Sequence, residues 1–163
     1  MPDEYGKKRS ALKTVTARLT GAEVLGREPA LLFAARQIEE VLREADVRPL
    51  PFAPDWLLGL CAWRQRLLPV IDPARLHGIR FAPARSLYMV VRVAEDGGGL
   101  LRCVLKVSDR IAARDLPRQA ATADAADGGL NPALLKGLFV HEEVLLLVPD
   151  LLPALRPPAA GTV

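Results

Sequence analysis

The feature that most constrains this 163-residue chain is an internal repeat. Gly59-Leu60, Leu67-Leu68, Val70 and Asp72 recur as Gly137-Leu138, Leu145-Leu146, Val148 and Asp150, each 78 positions further on (137 − 59 = 78). Each copy reads as a glycine, a strand, a polar tip, a second strand and a closing aspartate. Apolar matches alone carry little weight in a leucine-rich chain, but the glycine and aspartate anchors fit poorly with chance. Two similar β units in one chain imply a duplicated subdomain. The glycine allows close backbone approach within a strand, and the aspartate caps the turn that follows.

The rest of the chain is punctuated in the same way. Leu57–Ala62 and Leu67–Ile71 flank Arg64-Gln65-Arg66 as one hairpin, and Leu87–Val93 and Leu100–Val107 flank Asp96–Gly99 as a second. Leu134–Val140 and Val144–Val148 flank His141-Glu142-Glu143 as a third. Residues 1–13 are polar and basic, and structure is expected to begin near Thr14. Pro49, Pro51 and Pro54 make an extended connector, and Arg118–Gly129 reads as a surface loop or linker. Taken alone, Leu31, Ala34, Ala35, Ile38, Val41, Leu42 and Ala45 recur at helical spacing and predict an amphipathic helix over Ala30–Ala45. Short strands at regular spacing point to small β-barrels.

Composition excludes several function classes. Apolar residues make up 50% and charged residues 25%, so the chain is globular. The apolar run Val144–Pro149 is far short of the ~20 residues of a membrane span. No positive segment followed by an apolar block opens the chain, so no secretory signal is read and a cytoplasmic setting is expected. The net charge of +3 lies wholly in residues 1–20: Lys7, Lys8, Arg9, Lys13 and Arg18 against Asp3 and Glu4. The remaining residues hold 17 basic (22 − 5) and 17 acidic (19 − 2) groups, so the body is neutral. With only eight aromatics as well, a nucleic-acid surface is not expected.

No chemistry-bearing constellation is apparent. Cys61 and Cys103 each sit in an apolar stretch and read as buried free thiols. His77 and His141 lack neighbours at zinc-ligand spacing, so no metal or other cofactor is expected. None of the three serines lies in a G-x-S-x-G elbow. Gly97-Gly98-Gly99 has no following Lys-Ser/Thr and reads as a hairpin turn. The chain is expected not to be an enzyme.

Three segments resemble the CheW-like domain. They are Ile38-Glu39-Glu40-Val41, Pro51-Phe52-Ala53-Pro54-Asp55-Trp56-Leu57-Leu58-Gly59, and Ala62-Trp63-Arg64-Gln65-Arg66-Leu67-Leu68-Pro69-Val70-Ile71-Asp72. They are similar to that family's V-x-E-I, P-x-A-P-x-x-L-x-G and N-L-R-G-x-x-x-P-V-x-D-L. Ser108-Asp109-Arg110-Ile111 is similar to its V-D-x-V, and Gly137 through Asp150 to its closing strand pair. The resemblance implies an all-β fold of two packed five-stranded SH3-like barrels with short helical segments. It overrules the helix, making Leu31–Ala35 a strand and Ile38–Arg43 a short turn or strand start. The expected organisation is a flexible basic tail over 1–20, the CheW-like domain over 21–155 and a C-terminal tail over 156–163. The repeat falls at about 56–76 and 134–154.

The same resemblance implies a non-catalytic adaptor. It would couple the cytoplasmic tip of a methyl-accepting chemoreceptor to the regulatory domain of a CheA-type histidine kinase, in an array controlling chemotaxis, type IV pili or another surface behaviour. Glu40 and Arg64 match the family's acidic and basic positions and would lie at a partner interface, Arg64 offering a multi-donor fork to a carboxylate. Each also reads as a solvated surface charge worth under ~1 kcal/mol. Ile38, Val41, Leu57 and Leu58 would line a receptor groove or serve as core, and Trp63 would be an anchor or buried. Gly59, Pro69, Asp72, Asp109, Gly137 and Asp150 read as structural. The chain departs from the pattern at Trp63, Gln65 and Pro73, and Pro73 should stop strand pairing early. The alternatives are a β-barrel module binding nucleic acid or a protein partner outside chemotaxis, and an enzyme.

Overall fold

The computed structural model describes residues 12–116 and 121–156. Among these residues eleven strands form two sheets: β1 (Leu12–Arg18), β2 (Glu28–Ala34), β3 (Ile38–Leu42), β4 (Leu57–Trp63), β5 (Arg66–Ile71), β6 (Ser86–Ala94), β7 (Leu100–Ser108), β8 (Ile111–Leu116), β9 (Ala121–Thr122), β10 (Leu135–His141) and β11 (Val144–Pro149). Two one-turn helices, α1 (Pro73–Leu76) and α2 (Leu152–Leu155), follow β5 and β11. One sheet has the order β8-β1-β2-β11-β10-β9 and the other β3-β6-β7-β5-β4. The five-stranded sheet is thus one continuous stretch of chain inserted between β2 and β8. The other sheet has six strands where five were expected, because two-residue β9 pairs with β10 inside the supposed linker.

Apolar residues divide into three layers. Leu31, Phe33, Leu145 and Leu147 of one sheet meet Met89, Val91, Cys103 and Leu105 of the other in the main core. Cys61, Trp63, Leu68, Val70, Val90 and Val104 fill the far side of the five-stranded sheet. Ala30, Leu32 and Leu146 fill the far side of the six-stranded one. Central strands are therefore buried on both faces, which explains their unbroken apolar runs. The same double burial overturns the helix over Ala30–Ala45. Those residues form β2, a one-turn 3-10 segment at Ala35–Gln37 and β3. A strand covered on both sides shows no two-residue alternation, so its apolar positions mimic a helical period.

The tail expected over 1–20 is corrected as well. Residues 12–18 form β1, held between β2 and β8, with Thr14 and Thr16 buried. Thr14 donates its hydroxyl to Arg114 O at 2.7 Å. Residues 1–11 of that tail, part of the 118–129 loop and nearly all of the 156–163 tail lie outside the described residues.

Both copies of the repeat adopt one geometry, one in each sheet. β4–β5 and β10–β11 are hairpins with a register shift at the glycine, between Leu57 and Gly59 and between Leu135 and Gly137. Asp72 N–H donates to Trp56 O and Asp150 N–H to Leu134 O, both at 2.8 Å. Asp72 then accepts from Arg75 N–H to cap α1, with Pro73 at its first turn, and Asp150 accepts from Leu152 N–H. No helix among the described residues is long and apolar enough to cross a membrane.

Candidate functional site

The candidate site lies where the two edge strands of the five-stranded sheet meet. β3 pairs with β6 through a bulge, so that Ile38 faces Val91 and Glu40 already faces Val90. Strict alternation would send Glu39 and Glu40 to opposite faces, but a bulge lets consecutive side chains share one. Arg92 and Arg102 stand directly opposite each other on β6 and β7, a like-charge pair that is unfavourable by itself. Glu39 bridges them, accepting from Arg102 Nε at 2.7 Å and lying 3.2 Å from Arg92 Nε. The Arg102 hydrogen bond, reinforced by the charges of Arg102, Arg92 and Arg64, holds the Glu39 carboxyl below its usual range against the opposing effect of desolvation.

Glu40 reaches across to β4. Its Oε2 accepts from Trp63 Nε1–H at 2.7 Å and from Arg64 Nη2 at 3.5 Å. The Arg64 guanidinium stacks over the Trp63 indole, 4.6 Å from Cζ to the ring centroid. Arg64 and Gln65 form the hairpin tip with φ of +43° and +63°, the left-handed values that a tight two-residue turn needs. Trp63, packed among Val90 and Val104, orients both charges, and the carboxylate satisfies its buried N–H. The result is an acid–arginine pair at the mouth of a barrel; Val41, next to Glu40 in β3, and Leu67 in β5 are exposed apolar side chains.

The sequence profile of the CheW-like domain matches residues 23–156. The chain belongs to the CheW-like domain family. Chemotaxis protein CheW of Thermotoga maritima is 31% identical over 88 residues, spanning 52% of this chain and 58% of that protein. The scaffolding protein TtCheW of Thermoanaerobacter tengcongensis has the same fold, with a TM-score of 0.65, 14% identity and 89% of each chain covered.

Within this CheW-like domain, the residues singled out from sequence separate into three groups. Glu40, Arg64 and Val41 reach the surface, the first two joined to each other. Ile38 and Leu57 are half-buried against the main core, and Leu58 packs half-buried into the barrel interior. Trp63 is 9% exposed, so it supports the rim rather than presenting itself as an anchor. Gly59 is the third kind, a backbone site. A Cβ there would meet Arg48 O at 2.1 Å, because Arg48 and Leu60 exchange backbone hydrogen bonds across it. Pro69 lies in β5 just before its pairing with β7 begins at Val70. Asp109 is an exposed residue between β7 and β8, and Ser108 beside it ties the corner by donating to Arg18 O at 2.6 Å.

Glu39, Arg92, Arg102 and Leu67 were not singled out from sequence. The arginines occur within apolar runs, which is a signal of a compensated charge, but their partner follows only from the bulge. A cleft of about 390 Å³ also opens between the two sheets. Phe33, Val93 and Leu100 give it apolar walls, and Arg36 and Lys136 also line it, as does Arg92, whose guanidinium is paired with Glu39.

Proposed function

We propose that this CheW-like domain is a non-catalytic, cytoplasmic adaptor that couples a chemoreceptor tip to the regulatory domain of a CheA-type histidine kinase. The observation that carries the reading is the Glu40–Trp63–Arg64 cluster on a member of this family. It joins one carboxylate and one guanidinium at a barrel mouth, in a sheet that also carries exposed Val41 and Leu67 on β3 and β5. Oriented charges around an apolar centre suit a protein partner, because they set register and exclude wrong partners more than they add raw affinity. The cleft between the sheets, lined by apolar residues together with Arg36 and Lys136, suits an acidic receptor helical hairpin. The system served is one of chemotaxis, type IV pili or another surface behaviour.

The test is titration of the purified protein against the regulatory domain of the kinase encoded nearest to it and against a receptor-tip fragment. Arg64→Ala and Glu40→Gln, both chosen to keep the fold, are expected to weaken at least one of the two partners by about tenfold or more. Absence of binding by the unmodified chain, or equal binding by both variants, overturns the reading.

A further inference from the structure

The cleft between the two sheets holds one cation that is already half-used. Among the described residues that line it there is no aspartate or glutamate, whereas Arg36, Arg92 and Lys136 all do. Arg36 and Lys136 are exposed and have no ion-pair partner among the described residues. Arg92 has one, since Glu39 Oε1 stands 3.2 Å from its Nε. The same oxygen accepts from Arg102 Nε at 2.7 Å. One carboxylate thus serves two guanidinium groups, and the triad is left with a positive charge in excess. Its members are unequally placed: the side chains of Glu39 and Arg102 are 12% and 23% exposed, that of Arg92 44%. A guanidinium has five donors, and Arg92 makes its nearest approach to Glu39 through Nε, which leaves the fork of its terminal nitrogens for a second carboxylate.

We propose that Glu39 is a built-in stand-in for a partner's carboxylate on Arg92, and that its charge sets how acidic a partner segment the cleft accepts. The occupant is an acidic segment of another protein, which complements walls that carry cations and no acid; this rests on the coupling reading, because the cleft is the one assigned there to the receptor. A carboxylate arriving at Arg92 gains a charge-assisted pair but meets the like charge of Glu39. Two carboxylates about 6 Å apart in water repel by an amount worth roughly threefold in affinity. A segment with several carboxylates pairs with Arg36 and Lys136 as well and overcomes that repulsion. A segment with one does not, so the stand-in lowers affinity for every acidic partner and rejects the weakly acidic ones.

The test uses the full chain and neither kinase nor receptor, so its failure and that of the coupling reading are distinguishable. The probe is a helical peptide of about 20 residues with glutamates along one face, followed by fluorescence anisotropy at roughly 50 mM salt, with its glutamine counterpart as control. Glu39→Gln and Arg92→Gln break the same ion pair, so a merely structural pair shifts binding in one direction in both. Here they are expected to diverge: Glu39→Gln tightens the acidic peptide by about threefold, and Arg92→Gln weakens it by about tenfold. In the Arg92→Gln background the gain from Glu39→Gln is expected to disappear. If Glu39→Gln alone does not fold with two arginines opposed, Glu39→Gln with Arg102→Gln is compared with Arg102→Gln, and the same tightening is expected. Unchanged or weaker binding on removing Glu39, an equal gain with and without Arg92, or an acidic peptide that binds no better than its glutamine counterpart overturns the proposal.

Discussion

Glu40 Oε2 and Trp63 Nε1 lie 2.7 Å apart, and their bond joins β3 to β4, the two edge strands of the five-stranded sheet. A charge that reads from sequence as a solvated surface group is thus also a structural acceptor, closing a barrel mouth and satisfying an indole that is 9% exposed.

Removing that acceptor separates its two functions. Glu40→Ala leaves Trp63 N–H without its partner and is expected to lower unfolding stability by about 1–2 kcal/mol. Glu40→Gln keeps a carbonyl oxygen for the indole and is expected to cost under about 1 kcal/mol. Urea denaturation of both proteins checks this, and equal losses would show that the bond contributes nothing.

The two repeat glycines should respond differently to the same change. Gly59→Ala drives a methyl into Arg48 O at φ +146°, breaking the Arg48–Leu60 bridge, and is expected to cost about 3 kcal/mol. At Gly137 the atoms nearest to a Cβ belong to the Phe139 ring, with Cε2 at 2.6 Å, and a side chain can turn away where a carbonyl cannot. Gly137→Ala is expected to cost about 1 kcal/mol. Thermal or urea unfolding of the pair gives the comparison.

His77, at the end of α1, is 4% exposed, and neither ring nitrogen has a hydrogen-bond partner among the described residues. Burial pushes its pKa down to about 4. The unfolded chain binds the proton more readily, so stability is complete above pH about 6.5 and falls as pH drops towards 4. The full loss amounts to about 3 kcal/mol below that range. His77→Leu removes two orphaned polar atoms as well as the titration, so it should match or exceed the parent at pH 7.5 and flatten the acid decline. A parallel decline in both proteins would place the acid sensitivity elsewhere.

Cys61 and Cys103 are buried free thiols in different apolar layers. Burial raises both pKa values, that of Cys103 to about 12. A thiolate-specific reagent at pH 8 is therefore expected to label neither in the folded protein and both in denaturant. Fast labelling of Cys103 under native conditions would contradict its place in the main core.

The features legible in the sequence are those set by neighbours along the chain. The three hairpins follow from apolar runs around polar tips, and the repeat follows from Gly59, Asp72 and their counterparts Gly137 and Asp150. The resemblance to the CheW-like domain rests on the same kind of local motif, above all Arg64 through Asp72. The site was half legible, since Glu40 and Arg64 stood out as charges matching that motif. Their joint attachment to Trp63 did not.

By itself, the sequence determined where this chain turns and which short segments are strands, because turn chemistry and hairpin pairing act over a few residues. Only the tertiary structure decided that β2 is a doubly covered strand rather than a helix, and that residues 12–18 complete a sheet instead of forming a tail. It also decided that a bulge in β3 turns Glu39 and Glu40 to one face, and that Leu67 is bare while Leu145 is buried. Each of these depends on which distant strand lies alongside or on top, and pairing across 46 (88 − 42) to 116 (144 − 28) positions leaves no periodic mark on the residues that make it.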